Sequence, residues 1–259
     1  MSRFSTQTAY RIDKKNQAST ELLRLDLFDV RSMDTSLIAM SYNFRQALFF
    51  NQSSPVFGFD YTYSDNRNKQ LLTNGFEARD VLLHELHVRW NITKEIGFFS
   101  NSVLGEKTNT SQYFASRNFS ISYYESESRI SYQPSTALRV SLVYKRTDKL
   151  NTLAGGGQHA ILDDAGFDVK YNQLGKGSLN ARANFIMIQF NDILTSPVAF
   201  EMLNALKPGE NFTWNLNYQR NLSNNMQISL TYEGRKSPGN KIVHIGDRKS
   251  TRLNSSHSQ

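Results

Sequence analysis

The chain has 259 residues, with 30 Lys and Arg against 23 Asp and Glu, no cysteine, and 12% aromatic residues. No run approaches the roughly 20 apolar residues of a membrane-spanning helix, and the lack of cysteine excludes disulfide scaffolds and cysteine-ligated metal sites. The aromatic content argues against disorder, so the length fits one large all-β unit or two ordinary domains.

Apolar and polar residues alternate in segment after segment, which is the pattern of strands with two unlike faces. The first such segment is Phe4–Ile12, and the clearest is 57–63, where four aromatic residues alternate with Gly58, Asp60 and Thr62. Each segment has about the 9 to 11 residues that a tilted strand needs to cross a bilayer, whereas the mean strand of a soluble protein has about 5 to 6. The lengths favour a membrane barrel over a soluble sandwich.

The connections between these segments alternate between short and long, as the two ends of a transmembrane barrel do. The predicted short connections are 51–55, 91–95, 133–136, 172–177 and 219–225. The predicted long connections are 64–75, 105–117, 147–166 and 191–210. This alternation requires a single strand over 118–133. A β-bulge is predicted near Tyr123 and Tyr124, where the apolar residues change from odd to even positions.

The predicted fold is therefore all-β: an antiparallel, up-and-down transmembrane β-barrel with about 12 strands present and incomplete at both ends. Aromatic residues of the apolar faces are expected to face lipid, and they are Phe57, Phe59, Tyr61, Tyr63, Trp90, Phe212, Trp214, Tyr218 and Tyr232. Ionisable residues of the polar faces are expected to line the lumen, and they are Arg45, Asp60, Glu85, His87, Arg89, Arg139, Lys145, Asp168, Lys170, Arg182, Glu233 and Arg235.

The two ends of the chain suggest a fragment. The first strand is expected to run downward from the outer side, so at least one strand should precede it. The start lacks the apolar region of a secretory signal, so the protein is either cytoplasmic or an internal fragment. Residues 247–259 look like a translated sequencing adapter. We therefore expect a barrel fragment over 1–246, whose last strand stops at Gly246, followed by an artefactual, disordered tail outside the sheet.

Motifs that could carry chemistry are weak. His84 and His87 should point to opposite faces of a strand and so should not share a metal ion, which leaves Glu85, His87 and Arg89 as an ion-pair ladder.

Asp163 and Asp164, in a predicted loop, could bind a divalent cation but are more often solvated. No catalytic, metal or cofactor site is expected. Residues 197–206 are the one stretch predicted to form a short helix. Its apolar face, which packs on the barrel or constricts the mouth, is expected to include Phe200, Met202, Leu203 and Leu206.

Three segments, Lys207–Lys236, Leu71–Glu77 and Lys176–Asn180, resemble the C-terminal barrel region of large outer-membrane proteins of the Bacteroidota, a largely uncharacterised group. The resemblance implies a surface-exposed envelope protein anchored in the bacterial outer membrane by its barrel. It also implies a final strand that ends in an aromatic residue, which the barrel assembly machinery reads. It implies no substrate.

The expected function is that of an outer-membrane channel or of the membrane anchor of a larger surface protein, with no enzymatic activity and no cofactor. The expected partners are outer-membrane lipid and the barrel assembly machinery. Nucleic acid is not expected, because the positive charge is not clustered. The alternative is a soluble or surface β-sheet module that binds carbohydrate and uses the aromatic faces as its core. With Arg24 and Asp26 included, cations outnumber carboxylates on the polar faces, which predicts weak anion preference in an open pore.

Overall fold

Twelve strands follow one another in a single sheet in the computed structural model, which describes residues 4–16, 37–73, 75–204, 206–223 and 226–252. Arg24 and Asp26 lie outside these residues. The strands are β1 (Phe4–Asn16), β2 (Leu37–Phe50), β3 (Phe57–Leu72), β4 (Gly75–Asn91), β5 (Ile96–Ser111), β6 (Phe119–Tyr132), β7 (Leu138–Asn151), β8 (His159–Gln173), β9 (Gly177–Phe190), β10 (Gly209–Ser223), β11 (Met226–Lys236) and β12 (Val243–Arg252). A 3-10 turn spans Ala115–Arg117, and the helix α1 spans Pro197–Leu203.

Every strand pairs antiparallel with its neighbour in the chain, so the predicted all-β, up-and-down sheet is confirmed. The sheet has two ends. At the short-turn end lie the connections 51–56, 92–95, 133–137 and 174–176, and at the opposite end, the helix end, lie 112–118, 152–158 and 191–208, the last of which contains α1. Within the described residues β1 and β12 form no ladder with each other.

The two faces of the sheet differ in chemistry because the ladders keep side chains in phase from strand to strand. We call the face on which α1 packs the helix face and its opposite the aromatic face. All twelve ionisable residues predicted to share the polar side lie on the helix face, as the register shows for Asp60 opposite His87 and for Asp168 opposite Arg182. All nine predicted aromatic residues lie on the aromatic face.

The strands are longer than predicted at the helix end. Residues 64–72 belong to β3, 105–111 to β5, 147–151 to β7 and 159–166 to β8, so these parts of the predicted long connections are strand instead. The prediction was wrong because these parts do not alternate clearly: in β3, for example, polar residues occupy both faces beyond Ser64. A period of two in hydropathy marks only strand segments with one apolar face.

No bulge interrupts β6, contrary to the prediction. Residues 121–132 pair without a shift with both β5 and β7. Phe119, Ile121 and Tyr123 point to the helix face, where they contact the cluster beneath α1, while Ile130 and Tyr132 point to the aromatic face. The apolar residues change face because α1 covers the helix face only at one end of the strand.

Two predictions about the ends of the sheet are wrong. Phe4 lies opposite Phe50, so β1 begins at the short-turn end and runs in the direction opposite to the predicted one. The direction of β1 therefore gives no reason to expect a strand before it. The last strand does not stop at Gly246: residues 247–252 continue β12 and pair with β11. Residues 253–259 lie outside the described residues, and the adapter origin of the tail stays a prediction.

Gly105 of β5 tests the packing of the helix face. A Cβ atom there would lie 2.4 Å from the ring of Tyr123, whereas a Cβ at Gly246 of β12 would meet nothing within 4 Å. We expect Gly105→Ala to lower the free energy of unfolding by about 1 to 3 kcal/mol, because the ring must move away from the sheet. Urea unfolding of the detergent-refolded protein measures this, with Gly246→Ala as the control. Equal stability of the two variants would show that Tyr123 does not depend on the open space at Gly105.

Candidate functional site: a helix docked on the charged face

The helix α1 is well specified by its own sequence. The Ser196 hydroxyl accepts a hydrogen bond of 3.0 Å from the backbone N–H of Ala199, and Pro197 occupies the first turn, where its missing N–H costs nothing. Asn204 ends the helix in the left-handed conformation, with φ 52°. The short helix predicted over 197–206 is therefore confirmed, with its end at Leu203.

The apolar side of α1 packs on the helix face of the sheet. The buried residues of the helix are Val198, Ala199, Met202 and Leu203, and those of the sheet beneath it are Phe119, Ile121, Ala160, Leu162 and Ile188. Met202 is fully buried, whereas Phe200, on the opposite side of α1, is 67% exposed. The predicted packing role is therefore correct, but Phe200 is not part of the buried face.

Charged side chains of the sheet hold the polar side of α1. The Glu201 carboxylate forms ion pairs with Lys107 of β5 and, at 3.3 Å, with Arg79 of β4. The Lys149 Nζ of β7 donates hydrogen bonds to the Met202 carbonyl oxygen at 2.9 Å and to Asn204 Oδ1 at 3.0 Å. A cation at this position also complements the partial negative charge of a helix C-terminus.

These contacts lower the pKa of Glu201. Partial burial acts to raise the pKa, but the hydrogen bond and the charge of Lys107, together with the charge of Arg79, outweigh it and lower the pKa from its ordinary value of 4.5. The carboxylate is therefore ionised whenever the helix is docked at neutral pH.

The surroundings of α1 favour a curved sheet. Side chains from six consecutive strands, β4 to β9, either bond to α1 or belong to the apolar cluster beneath it. In a flat sheet, β4 and β9 would be about 24 Å apart, whereas a helix of seven residues is only about 10 Å long. Even with the reach of long side chains such as Arg79, this convergence on one short helix favours a helix face that is concave at the helix end, as the inner wall of a barrel is.

Between α1 and the short-turn end, charged and polar side chains of the helix face pair with each other. Asp168 accepts a hydrogen bond of 2.8 Å from Arg182, and Lys145 lies 2.7 Å from Glu125. Asp168, Arg182 and Lys145 line a small cavity of about 130 Å³. Glu233 accepts a hydrogen bond of 2.7 Å from Asn215. The result is a polar surface that is largely satisfied by its own side chains.

Arg89 and Arg139 hold turns in place instead of forming ion pairs along the strand. The Arg89 guanidinium donates to the carbonyl oxygens of Gln52, at 3.1 Å, and of Ser54, at 2.8 Å, and Arg139 donates to Gln133 Oε1 at 2.8 Å. The predicted ladder of ion pairs through Arg89 is therefore wrong. Arg45, Asp60, Glu85, His87, Lys170 and Arg235 lie on the helix face as predicted.

Asp163 and Asp164 do not form a shared cation site. They lie in β8 and not in a loop, and adjacent strand residues point to opposite faces. Asp163 accepts a hydrogen bond of 2.7 Å from the Tyr144 hydroxyl on the aromatic face, whereas Asp164 accepts one of 2.8 Å from Asn184 on the helix face. Among the described residues, no three potential ligands of the His, Cys, Asp and Glu types lie close enough to hold a metal ion.

The aromatic face exposes large apolar side chains. Trp90 is 47% exposed, Phe212 39% and Leu142 58%. His84 lies on this face, where its Nδ1 is 2.7 Å from the Tyr61 hydroxyl, while His87 lies on the helix face. The prediction that the two histidines point to opposite faces is confirmed.

The sequence did not predict the four charged residues that hold α1. Arg79 was part of a predicted strand, but Lys107 and Lys149 fell in predicted loops, and Glu201 was one polar position in a short helix. Their shared role depends on contacts between residues up to 122 positions apart, as for Arg79 and Glu201. The one usable signal was the apolar side of the helix, which required a surface to pack against.

Comparison with protein-family models found no matching family, and comparison with curated proteins found no match. Among solved structures, the chain is similar to the translocator domain of the autotransporter NalP from Neisseria meningitidis, with 11% identity over 83% of this chain and 81% of that one. The TM-score is 0.32. The described residues include no helix with the length and apolar character needed to cross a membrane.

Met202 and Phe200 provide a matched pair for testing the docking of α1. We expect Met202→Ala to lower the free energy of unfolding by about 2 to 5 kcal/mol and to make residues 191–208 sensitive to protease, because it leaves a cavity beneath the helix. Phe200→Ala, at an exposed site, should change neither property measurably. Urea unfolding and limited proteolysis measure the two effects, and equal effects of both variants would contradict the observed orientation of α1.

The lowered pKa of Glu201 predicts that α1 loosens in acid. The ionised carboxylate stabilises the docked state fully above pH 4.5, the ordinary value, and this contribution is lost as the pH falls through the lower folded-state pKa. Proteolysis of residues 191–208 by pepsin should therefore rise in the wild type as the pH falls below 4.5, when each rate is divided by the rate at which pepsin cleaves an unfolded substrate at the same pH. Glu201→Gln should already show increased cleavage at pH 5, with a weaker dependence on pH. A wild type equally sensitive at pH 5 and pH 3 would contradict this role.

Proposed function

We propose that this chain forms the β-barrel of a bacterial outer-membrane protein, with the aromatic face on lipid and the helix face around the lumen. The observation that carries the proposal is a face of exposed aromatic and aliphatic residues on strands long enough to span a bilayer. Strands β2 to β10 have 14 to 17 residues. At a tilt of about 40° even the shortest of these rises about 35 Å, which exceeds the apolar band of about 25 Å.

The chemistry of the helix face also supports a membrane barrel. Its charged residues form pairs such as Asp168 with Arg182, and its small residues, such as Thr62 and Ser141, are nearly buried. Charged groups in the wall of a membrane barrel are tolerated only where they face a wet interior or one another. A soluble sandwich would instead place the aromatic face in a core, whereas here Trp90 and Leu142 are about half exposed.

The barrel acts as an envelope channel or as the membrane anchor of a larger surface protein, and not as an enzyme. Docked α1 occupies the concave face at the helix end and so narrows the passage there. The excess of cations on the helix face gives an open pore a weak preference for anions. Recordings in planar bilayers separate the two roles, since an anchor without an open passage shows no conductance.

Its partners are outer-membrane lipid and the machinery that assembles barrels, and not nucleic acid. The resemblance of Lys207–Lys236 to barrel regions of the Bacteroidota suggests the kind of bacterium in which the protein acts. Strands of this length must satisfy every backbone group when in lipid, which a closed barrel achieves.

A single charge placed on each surface tests the membrane assignment. We expect Leu142→Arg, on the aromatic face, to destabilise the protein refolded in phosphatidylcholine vesicles by about 2 to 4 kcal/mol, because the guanidinium enters hydrocarbon. Leu174→Arg, in the 174–176 turn where the side chain is 96% exposed, should be nearly neutral. Urea titration monitored by tryptophan fluorescence measures both. A neutral Leu142→Arg, together with a monomer that needs no detergent, would favour the carbohydrate-binding module instead.

A further inference from the structure

A groove of about 880 Å³ crosses the aromatic face. It extends from Phe98, near the start of β5 at the short-turn end, to Lys236, at the last residue of β11 at the helix end. Apart from Ser128, Asn184 and Thr213, its other lining residues are not polar, and Ile130, Leu142 and Trp214 are among them. The groove therefore has one charged end and one apolar end.

Two alanines create the hollow. Ala165 lies between Tyr144 and Phe185 on the flanking strands, and Ala183 lies between Phe167 and Trp214. Each small side chain is thus flanked by large rings that stand out from the sheet on either side of it. Ala165 and Ala183 lie on neighbouring strands but are not directly opposite each other. The spaces above them therefore join into one groove that crosses the strands diagonally.

Lys236 gives one end of the groove a positive charge. This residue is exposed and lies opposite Phe212 in the ladder. Two more exposed lysines are close by in the chain segments at this end: Lys241, in the 237–242 connection, and Lys207, which donates a hydrogen bond to Asn240 Oδ1. The one carboxylate that β10 adds to the same end is Glu210.

We propose that the groove binds a phosphate-bearing lipid, with an acyl chain against Ala165 and Ala183 and the phosphate on Lys236. The inference rests on the proposed function, since it requires the aromatic face to lie in a membrane. It goes further by assigning one lipid a fixed place. The main support for lipid binding is the polarity of the groove. An acyl chain fits its apolar floor, and a phosphate at the head of the lipid complements the cation at one end.

The two tryptophans of the chain make a direct test possible, because both lie on the aromatic face and only Trp214 lines the groove. The probe is phosphatidic acid with brominated acyl chains, which quench tryptophan on contact, added at low mole fraction to the protein in detergent micelles. Trp90→Phe leaves Trp214, near Lys236, as the reporter, and Trp214→Phe leaves Trp90, beside Phe98 at the apolar end, as the control. The bromine atoms are placed near the carboxyl end of the acyl chain, so that a lipid held at Lys236 brings them to Trp214 and not to Trp90.

We expect Trp214 to be quenched at lower lipid fraction than Trp90. Lys236→Gln should raise the lipid fraction needed at Trp214 about fivefold, the effect of one surface cation on an anionic lipid, without changing Trp90. Ala183→Leu, which fills the hollow, should abolish the preference for Trp214 while Lys236 is intact.

Three results would overturn the assignment in distinguishable ways. Equal quenching of Trp90 and Trp214 would remove the groove as a site but leave the membrane assignment standing. Equal binding of brominated diacylglycerol, which has the same chains without the phosphate, would remove the role of Lys236. Quenching of neither tryptophan would contradict the proposed membrane location itself.

Discussion

The register of the twelve-stranded sheet, which shifts only near the ends of the β1–β2 and β10–β11 ladders, is the constraint on which the other features depend. Side chains alternate with a period of two, so a slip of a single residue in any ladder would move a whole strand's charged residues to the aromatic face. From β2 to β9 every ladder runs without a recorded shift. That continuity separates Asp168 and Arg182 from Phe167 and Ala183, their immediate neighbours in sequence.

The sequence predicts the faces of the sheet much better than the ends of its strands. Hydropathy alternation identifies a face wherever one side is apolar, so Phe57 to Tyr63 and Asp60 were assigned to the correct sides. Beyond Ser64 both faces are polar, and the same strand becomes indistinguishable from a loop in one dimension. The bulge wrongly predicted in β6 has a related cause. Phe119 and Ile121 pack beneath α1 on the helix face, whereas the later apolar residues of the strand lie on the aromatic face.

The site beneath α1 is harder to predict from the sequence than the faces of the sheet are. Its apolar half could be predicted in outline, since residues 197–206 carry an apolar side. Its polar half combines Arg79, Lys107 and Lys149 from three strands with a single glutamate of the helix. The pairing of strands β4 to β7 beneath α1 brings them together, and contacts between residues so far apart in the chain leave no mark in the alternation of residues.

The position of α1 also has a consequence for the order of folding. Each strand pairs with its neighbour in the chain, so ladders can form one hairpin at a time with small loops to close. The pair between Arg79 and Glu201 instead joins residues 122 positions apart, and it requires the curved wall from β4 to β9 to exist already. The complete set of contacts of α1 therefore forms only when the strands on which it rests have paired in register.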